Sequence, residues 1–234
     1  MGWYNGAMFD PRAVEGLLFD LDGTLLDSDD QAVERLARWL GRLSWRDPQR
    51  AARYLVMALE TPGNTFVTAL DVLGLDGVLA GLTGWLQRGC GLRDRARFRP
   101  VPGIAPALCL LHGRYRLGVV TTRGQRDAVC FLGEQGLTEL FPVVVTREST
   151  WRLKPHPAPV LRAAALLNLP PERCAMVGDT TVDVRAARRA GAWAVAVLCG
   201  FGEREELERA GAHLVLPSPA ELPAALGLAA DTGP

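Results

Sequence analysis

Six short apolar runs recur along the chain, and each is followed by a polar or glycine-rich turn and then by a helix-like stretch. The runs lie at residues 17–19, 117–120, 143–145, 174–177, 193–198 and 213–216. Strands that alternate with helices of about ten residues are typical of right-handed crossovers between parallel strands. The pattern therefore predicts an α/β fold with a doubly wound, mostly parallel sheet and helices on both faces.

One segment, from about residue 28 to 99, breaks this alternation. Apolar residues recur there at spacings of three and four, as in AVERLARWLGRL and LAGLTGWLQRG, without a convincing strand pattern. We predict an all-helical domain at residues 28–99, inserted after the first strand. The core domain would consist of residues 1–27 and 100–234, and the proline and glycine of RPVPGI would mark the return of the chain to it.

Composition excludes several classes of function. The 234 residues carry 26 basic and 26 acidic side chains, so no overall field favours nucleic acid or an anionic membrane. The longest apolar run is far too short to span a bilayer, and no leader pattern opens the chain. Five scattered cysteines suggest reduced thiols rather than disulfides or zinc. We expect a cytoplasmic monomer or homodimer with no nucleic-acid or membrane partner.

Residues with reactive side chains follow four of the apolar runs. They are Asp20 and Asp22, Thr121 and Thr122, Lys154, and Asp179 and Asp183. Because ligands of parallel sheets bind outside the carboxyl ends of the strands, we expect these carboxylates, hydroxyls and the ammonium to converge at one edge. Hard oxygen ligands select magnesium over zinc, and magnesium takes one or two carboxylates together with substrate phosphate. The arrangement predicts a magnesium and phosphate site.

Each of these residues also has a simpler structural explanation. Asp20 and Asp22 are common turn formers, and Asp179 is a suitable cap for the helix predicted after it. Their order at successive strand ends favours the site. For Arg123 the sequence leaves two roles open, which are a cation at the rim of the phosphate site and a solvated residue at a helix start.

Lys154 is the only lysine in the chain, against 25 arginines. An ordinary surface cation in this protein would therefore be arginine. A compact ammonium on a flexible stem enters a crowded site where the planar guanidinium does not fit. This contrast favours a functional role for Lys154.

Four segments, FDLDGTLLDS, VVTT, LKPHP and VGDTTVD, resemble the four ordered motifs of the haloacid dehalogenase superfamily, in particular its phosphoglycolate phosphatase-like branch. The helical insert falls where that branch carries its cap domain. The resemblance implies a Rossmann-like core and a magnesium-dependent phosphatase that acts on a small phosphorylated metabolite.

The resemblance also implies the catalytic roles. Asp20 takes the position of the nucleophile that forms an aspartyl-phosphate, and a carboxylate suits this role because it is ionised at neutral pH. Asp22 takes the position of the general acid and base. Magnesium would be held by Asp20, by the backbone carbonyl of Asp22 and by Asp179.

The remaining motif residues would bind the phosphate. Thr121 and Lys154 take the positions that contact the phosphoryl oxygens, with Thr122 and Arg123 beside them. Asp183 would orient Lys154 or water at the metal. Many relatives have a small or amide residue where this chain has Thr122, so the contribution of Thr122 and Arg123 is less defined.

Several other activities remain open from the sequence. The dehalogenases of the superfamily lack the second aspartate, so Asp22 argues against that activity. A sugar phosphomutase and an inorganic pyrophosphatase would share the motifs. A non-catalytic phosphate-binding protein would not need both Asp20 and Lys154. Phosphoglycolate, pyrophosphate, a nucleotide and a sugar phosphate all remain candidate substrates, because specificity in this branch resides in the cap.

Overall fold

A computed structural model describes residues 9–27 and 99–228 of the protein. The chain divides into two compact units, one formed by Met1–Asp27 with Arg99–Pro234 and the other by Ser28–Phe98. The predicted helical insert at 28–99 lies, apart from its last residue, outside the described residues, so its helical character and its boundaries stay predictions. Within the described part of the chain, no helix has the length and apolar content needed to cross a membrane.

The first unit contains a six-stranded parallel sheet in the order β3-β2-β1-β4-β5-β6. Its strands are β1 (Gly16–Phe19), β2 (Arg116–Val120), β3 (Val143–Val145), β4 (Cys174–Gly178), β5 (Trp193–Val197) and β6 (Leu214–Leu216). Each strand coincides with one of the six apolar runs. The predicted doubly wound parallel sheet is therefore confirmed.

Helices connect the strands and cover the sheet. They are α1 (Ile104–His112), α2 (Gln125–Glu134), α3 (Ala158–Leu166), α4 (Thr181–Ala190), α5 (Arg204–Ala210) and α6 (Leu222–Ala225). Helix α4 packs on β4 and β5 and lies between α3 and α5, whereas α1 contacts β2 and α6. Short 3₁₀ turns lie at Pro11–Ala13, Thr138–Leu140, Pro171–Arg173 and Pro219–Glu221.

Strand β1 is buried on both faces, which explains its uninterrupted apolar sequence. Leu18 belongs to the cluster that includes Val160 of α3 and Ala187 of α4. Phe19 points to the opposite face, since side chains alternate along a strand, and its ring meets Phe141 edge to face at 5.9 Å. Full burial of such a side chain contributes about 1.5–3 kcal/mol. The strand is thus fixed from both sides.

The strand order reverses at β1 and β4, which are neighbours in the sheet. In open parallel sheets, ligands bind outside the carboxyl ends of the strands at such a reversal. The turn after β1 is closed by backbone bonds, including Gly23 N–H to the carbonyl of Leu26 at 2.9 Å. Asp27 N–H donates to the carbonyl of Arg99 at 2.8 Å, so the points where the chain leaves and re-enters this unit are adjacent.

Candidate active site

Three buried carboxylates meet at the carboxyl edge of β1 and β4. Asp20 and Asp179 follow these strands directly, and Asp183 lies in the first turn of α4. They are 7%, 1% and 2% exposed, and one carboxylate oxygen from each lies within 4.8 Å of the others. Buried like charges at this spacing repel one another and are costly without a cation. The structure therefore brings these three residues together at one edge of the sheet, as the sequence predicts.

Lys154 supplies one positive charge to this cluster. Its side chain is 4% exposed, and its ammonium lies 2.8 Å from Oδ1 of Asp20 and 2.6 Å from Oδ1 of Asp183. It also donates hydrogen bonds to the carbonyl of Val120 at 3.0 Å and to Asp183, so two of its N–H groups have acceptors. Burial by itself would lower the pKa of Lys154, but the charges of Asp183 and Asp20 outweigh it and raise that pKa above its ordinary value.

Asp20 carries the least satisfied oxygen of the cluster. Its Oδ1 atom is buried, and although Lys154 lies 2.8 Å away, the contact is an ion pair without the alignment of a hydrogen bond. The pKa of Asp20 is raised to about 7: burial is the largest cause, Lys154 partly offsets it, and the charges of Asp183 and Asp22 add to it. A single ammonium therefore does not compensate the negative charge around Asp20.

Asp179 is held by the loop that follows β5. Phe201 N–H donates to its Oδ2 at 2.9 Å, and the Thr24 hydroxyl lies 3.5 Å from its Oδ1. A Cβ atom at Gly200 would lie 2.1 Å from Oδ2, so only glycine allows this loop to pass so close. Sequence reasoning missed Gly200 and Phe201, although the glycine pair in CGFG, directly after an apolar run, was a detectable signal.

Asp183 has two separate sets of contacts. Its Oδ2 accepts the Thr180 hydroxyl at 2.6 Å and the Thr180 N–H at 3.2 Å, and the second of these bonds belongs to the capping box at the start of α4. Its Oδ1 holds Lys154. Because Thr180 is the N-cap and Asp183 supplies the carboxylate, the alternative explanation of Asp179 as the cap of this helix is wrong.

The two threonines after β2 differ in exposure. Thr121 is 4% exposed, and its Oγ1 accepts the N–H of Arg123 at 3.0 Å. Its own hydroxyl proton has no acceptor among the residues that the structure describes and remains available. Thr122 is half-buried beside it. The hydroxyl of Thr121 thus lies at the same strand edge as Lys154, whose ammonium is bonded to the carbonyl of Val120.

Arg123 binds the carboxylate of Asp22. Its Nε atom lies 2.7 Å from Oδ2 and 2.9 Å from Oδ1, and its Nη2 atom lies 2.5 Å from Oδ1. The side chains are 28% and 14% exposed. Gly124, not Arg123, is the N-cap of α2. Of the two roles left open for Arg123, a solvated helix-start residue does not agree with this paired arrangement.

Comparison with known proteins agrees with this geometry. Residues 17–197 match the family model of the haloacid dehalogenase-like hydrolases. The phosphoglycolate phosphatase of Chromobacterium violaceum is 31% identical over 219 residues, which cover 90% of this chain and 96% of that protein. The pyrophosphatase PpaX of Anoxybacillus flavithermus is 28% identical, over 92% of this chain and 98% of its own.

A solved structure shares both the fold and part of the sequence. The crystal structure of a haloacid dehalogenase family hydrolase from Deinococcus radiodurans, with bound phosphate and sodium, aligns with a TM-score of 0.65 and 27% identity. The alignment covers 93% of this chain and 98% of that one. Fold, ordered motifs and relatives agree, and the chain belongs to the haloacid dehalogenase-like hydrolase family as a phosphoglycolate phosphatase-like protein.

Proposed function

We propose that this protein is a magnesium-dependent phosphatase that hydrolyses a small phosphomonoester through an aspartyl-phosphate on Asp20. The observation that carries the proposal is the buried, under-bonded Oδ1 of Asp20 beside Lys154, Asp179 and Asp183. Such an oxygen is nucleophilic. A metal cation would compensate its negative charge, and the electrophilic phosphorus of a phosphoryl group would accept its electron pair. The phosphatases among the relatives support the same reaction class.

The proposed reaction has two steps, which are transfer of the phosphoryl group to Asp20 and hydrolysis of the resulting aspartyl-phosphate. In the first, a carboxylate oxygen of Asp20 forms a bond to phosphorus while the bond from phosphorus to the ester oxygen breaks, and Asp22 gives a proton to the leaving oxygen. In the second, water attacks the phosphorus of the aspartyl-phosphate and Asp22 takes a proton from that water. The products are an alcohol and inorganic phosphate, and Asp20 is restored.

Lys154 and Thr121 stabilise the phosphoryl group. The ammonium already lies 2.8 Å from Asp20, so it is in place to neutralise the oxygens of a group transferred to that residue. The hydroxyl proton of Thr121 lies at the same edge and would donate to a phosphoryl oxygen, with Thr122 beside it. Both groups are preorganised, because Lys154 is held by Asp183 and Val120 and Thr121 is buried.

The donor set fits magnesium. The oxygens near Asp20 are hard ligands, and Gly200 leaves space for the Asp179 carboxylate in its present orientation. Asp20, Asp179 and the backbone carbonyl of Asp22 would hold the ion. When bound, it supplies charge neutralisation between the Asp20 carboxylate and the phosphate dianion. Asp183 is committed to Lys154 and Thr180 and would support the site from behind.

Inorganic pyrophosphate is the second candidate substrate, and the relative named pyrophosphatase PpaX is the observation that favours it. A sugar phosphomutase uses the same motifs and remains the other alternative. We also propose that residues 28–99 form the helical cap that selects the substrate. The expectations of a cytoplasmic protein, a monomer or homodimer, and no nucleic-acid partner stay predictions.

A panel assay tests the proposal. Phosphate release from phosphoglycolate, pyrophosphate, a nucleoside monophosphate and a hexose phosphate is measured with magnesium and after chelation. We expect release from at least one substrate with magnesium and none after chelation. Asp20→Asn should abolish turnover, whereas Asp27→Asn, an exposed carboxylate in the same segment, should retain it. Activity that survives chelation would contradict the metal assignment, and turnover by Asp20→Asn would contradict the covalent mechanism.

A further inference from the structure

The guanidinium of Arg123 spans both oxygens of the Asp22 carboxylate. Nε lies within 2.9 Å of each oxygen, and Nη2 lies 2.5 Å from Oδ1. Paired contacts of this kind fix the plane and the direction of a carboxylate, which a single ammonium contact does not do. Because we propose Asp22 as the general acid and base, the orientation of its carboxylate affects the rate of turnover.

The backbone on both sides of this pair is held in place. Arg123 N–H donates to Oγ1 of Thr121 at 3.0 Å, and the carbonyl of Arg123 accepts Arg147 N–H at 3.2 Å. Asp22 lies in the closed turn after β1, where it forms a bridge with Leu26. The side-chain pair therefore joins the loop after β1 to the loop after β2, and neither end is on a loose segment.

We propose that Arg123 is a positioning residue, which holds the Asp22 carboxylate in the orientation needed for proton transfer at the leaving oxygen. This inference rests on the proposed phosphatase function. It differs from the role of a phosphate-binding cation, because the Nε and Nη2 groups of Arg123 are turned towards Asp22. A reacting group displaced by about 1 Å costs up to 10²-fold in rate. Arg123 therefore acts on the reaction through Asp22.

Two esters with different leaving groups separate these roles. An alkyl phosphate needs a proton on its leaving oxygen, whereas 4-nitrophenyl phosphate releases a stable anion and needs little help. The parameter to measure is kcat/KM, which includes the transfer to Asp20 and excludes the later hydrolysis. Arg123→Ala should lower kcat/KM for the alkyl ester by about 10- to 100-fold, which does not exceed the about 10²–10⁴-fold that proton transfer supplies. The loss for 4-nitrophenyl phosphate should be several-fold smaller, as it should be for Asp22→Asn.

A double-mutant cycle provides the second readout. If Arg123 acts through Asp22, adding Arg123→Ala to Asp22→Asn causes no further loss of kcat/KM. If Arg123 instead contacts the phosphate, the two losses multiply, and inorganic phosphate inhibits Arg123→Ala more weakly than it inhibits the wild type. The cycle therefore distinguishes a positioning residue from a substrate ligand.

Arg147→Ala is the matched control. Arg147 lies in the loop after β3, and its exposed guanidinium faces Glu148 at 3.8 Å. Removing it takes one positive charge from the same edge of the sheet and should leave the ratio between the two esters unchanged. A melting curve is measured for each variant. If the melting temperature of Arg123→Ala is lower than that of the wild type, Arg123→Gln repeats the test with more of the side chain retained.

The outcomes separate this inference from the proposed function. Equal losses for both esters, multiplying losses in the cycle, or a faster alkyl ester reaction in Arg123→Ala would each overturn the positioning role. A faster reaction would mean that the contact with Arg123 keeps Asp22 away from the leaving oxygen instead of orienting it for proton transfer. A wild-type protein that hydrolyses neither of these esters nor any substrate of the panel would refute the phosphatase function, and the role of Arg123 with it.

Discussion

The Nζ atom of Lys154 lies 2.6 Å from Oδ1 of Asp183, while the other oxygen of Asp183 accepts the Thr180 hydroxyl. One carboxylate thus joins the lysine of the site to the first turn of α4. The lysine is held by the protein itself, so its ammonium is in place before any phosphate arrives. This arrangement makes the size of the cation at residue 154 decisive.

We expect Lys154→Arg to be about as damaging as Lys154→Ala. Lys154 is 4% exposed, its ammonium lies between Asp20, Asp183 and the Val120 carbonyl, and the wider guanidinium would displace one of these partners. Loss of one preorganised donor costs about 10²–10³-fold in kcat. Turnover at saturating substrate and magnesium measures the effect. Arg152→Lys, at an exposed neighbour, is the control, and wild-type turnover in Lys154→Arg would show that charge alone suffices.

Gly200→Ala should weaken magnesium binding. The new Cβ atom would lie 2.1 Å from Oδ2 and 2.5 Å from the carboxyl carbon of Asp179, so the carboxylate must move and lose its bond from Phe201 N–H. Titration of activity and of binding heat with magnesium would detect the loss. Gly133→Ala is the control, because its Cβ position has no neighbour within 4 Å apart from the adjacent residues and the backbone of its own helix, and alanine in a helix is favoured by up to about 1 kcal/mol. An unchanged magnesium dependence in Gly200→Ala would contradict the assignment of Asp179.

Asp20→Asn should raise the melting temperature of the metal-free protein while it abolishes turnover. The three buried carboxylates share one ammonium, and burial raises the pKa of Asp20 to about 7, so its ionised form is destabilised at higher pH. A neutral isostere removes that cost, which is the usual conflict between stability and function at a charged site. Melting curves at pH 8 in chelator would show the increase, and Asp27→Asn should melt like the wild type. A lower melting temperature for Asp20→Asn would contradict the electrostatic account.

His213 should make the protein less stable as the pH falls from about 6.5 to about 4. Burial, with the Arg188 guanidinium beside it, lowers the pKa of His213 to about 4, whereas the unfolded value is about 6.5. Between these values the unfolded chain binds a proton that the folded chain does not, so acid favours unfolding. Urea midpoints at pH 7 and pH 5 test this. The difference between the midpoints should be smaller in His213→Gln than in the wild type and unchanged in His112→Gln, an exposed position.

The apolar pattern alone was sufficient to locate all six strands, and it placed Asp20, Thr121 and Asp179 directly after three of them. This succeeded because the strands of a parallel sheet covered by helices need continuous apolar runs, which are a local property of sequence and are present even in the partly exposed β3 and β6. In a parallel sheet every carboxyl end lies at the same edge, so residues that follow strands are brought together without knowledge of the strand order. The functional role of Lys154 was inferred from a different signal, namely that it is the only lysine in a chain with 25 arginines.

The tertiary structure alone decided the individual pairings within the site. Arg123 pairs with Asp22 across a long stretch of sequence, and of the two partners left open for Asp183, Lys154 and water at the metal, the structure shows Lys154. Gly200 reaches Asp179 because β4 and β5 are neighbours, and β1 lies beside β4 because the sheet order reverses there. Periodicity specifies which residues are buried but not which strands become neighbours, since that choice depends on packing energies summed over the whole sheet. The pairing of Asp22 with Arg123 and the contact of Asp179 with the loop after β5 therefore follow from the tertiary fold and not from the motifs.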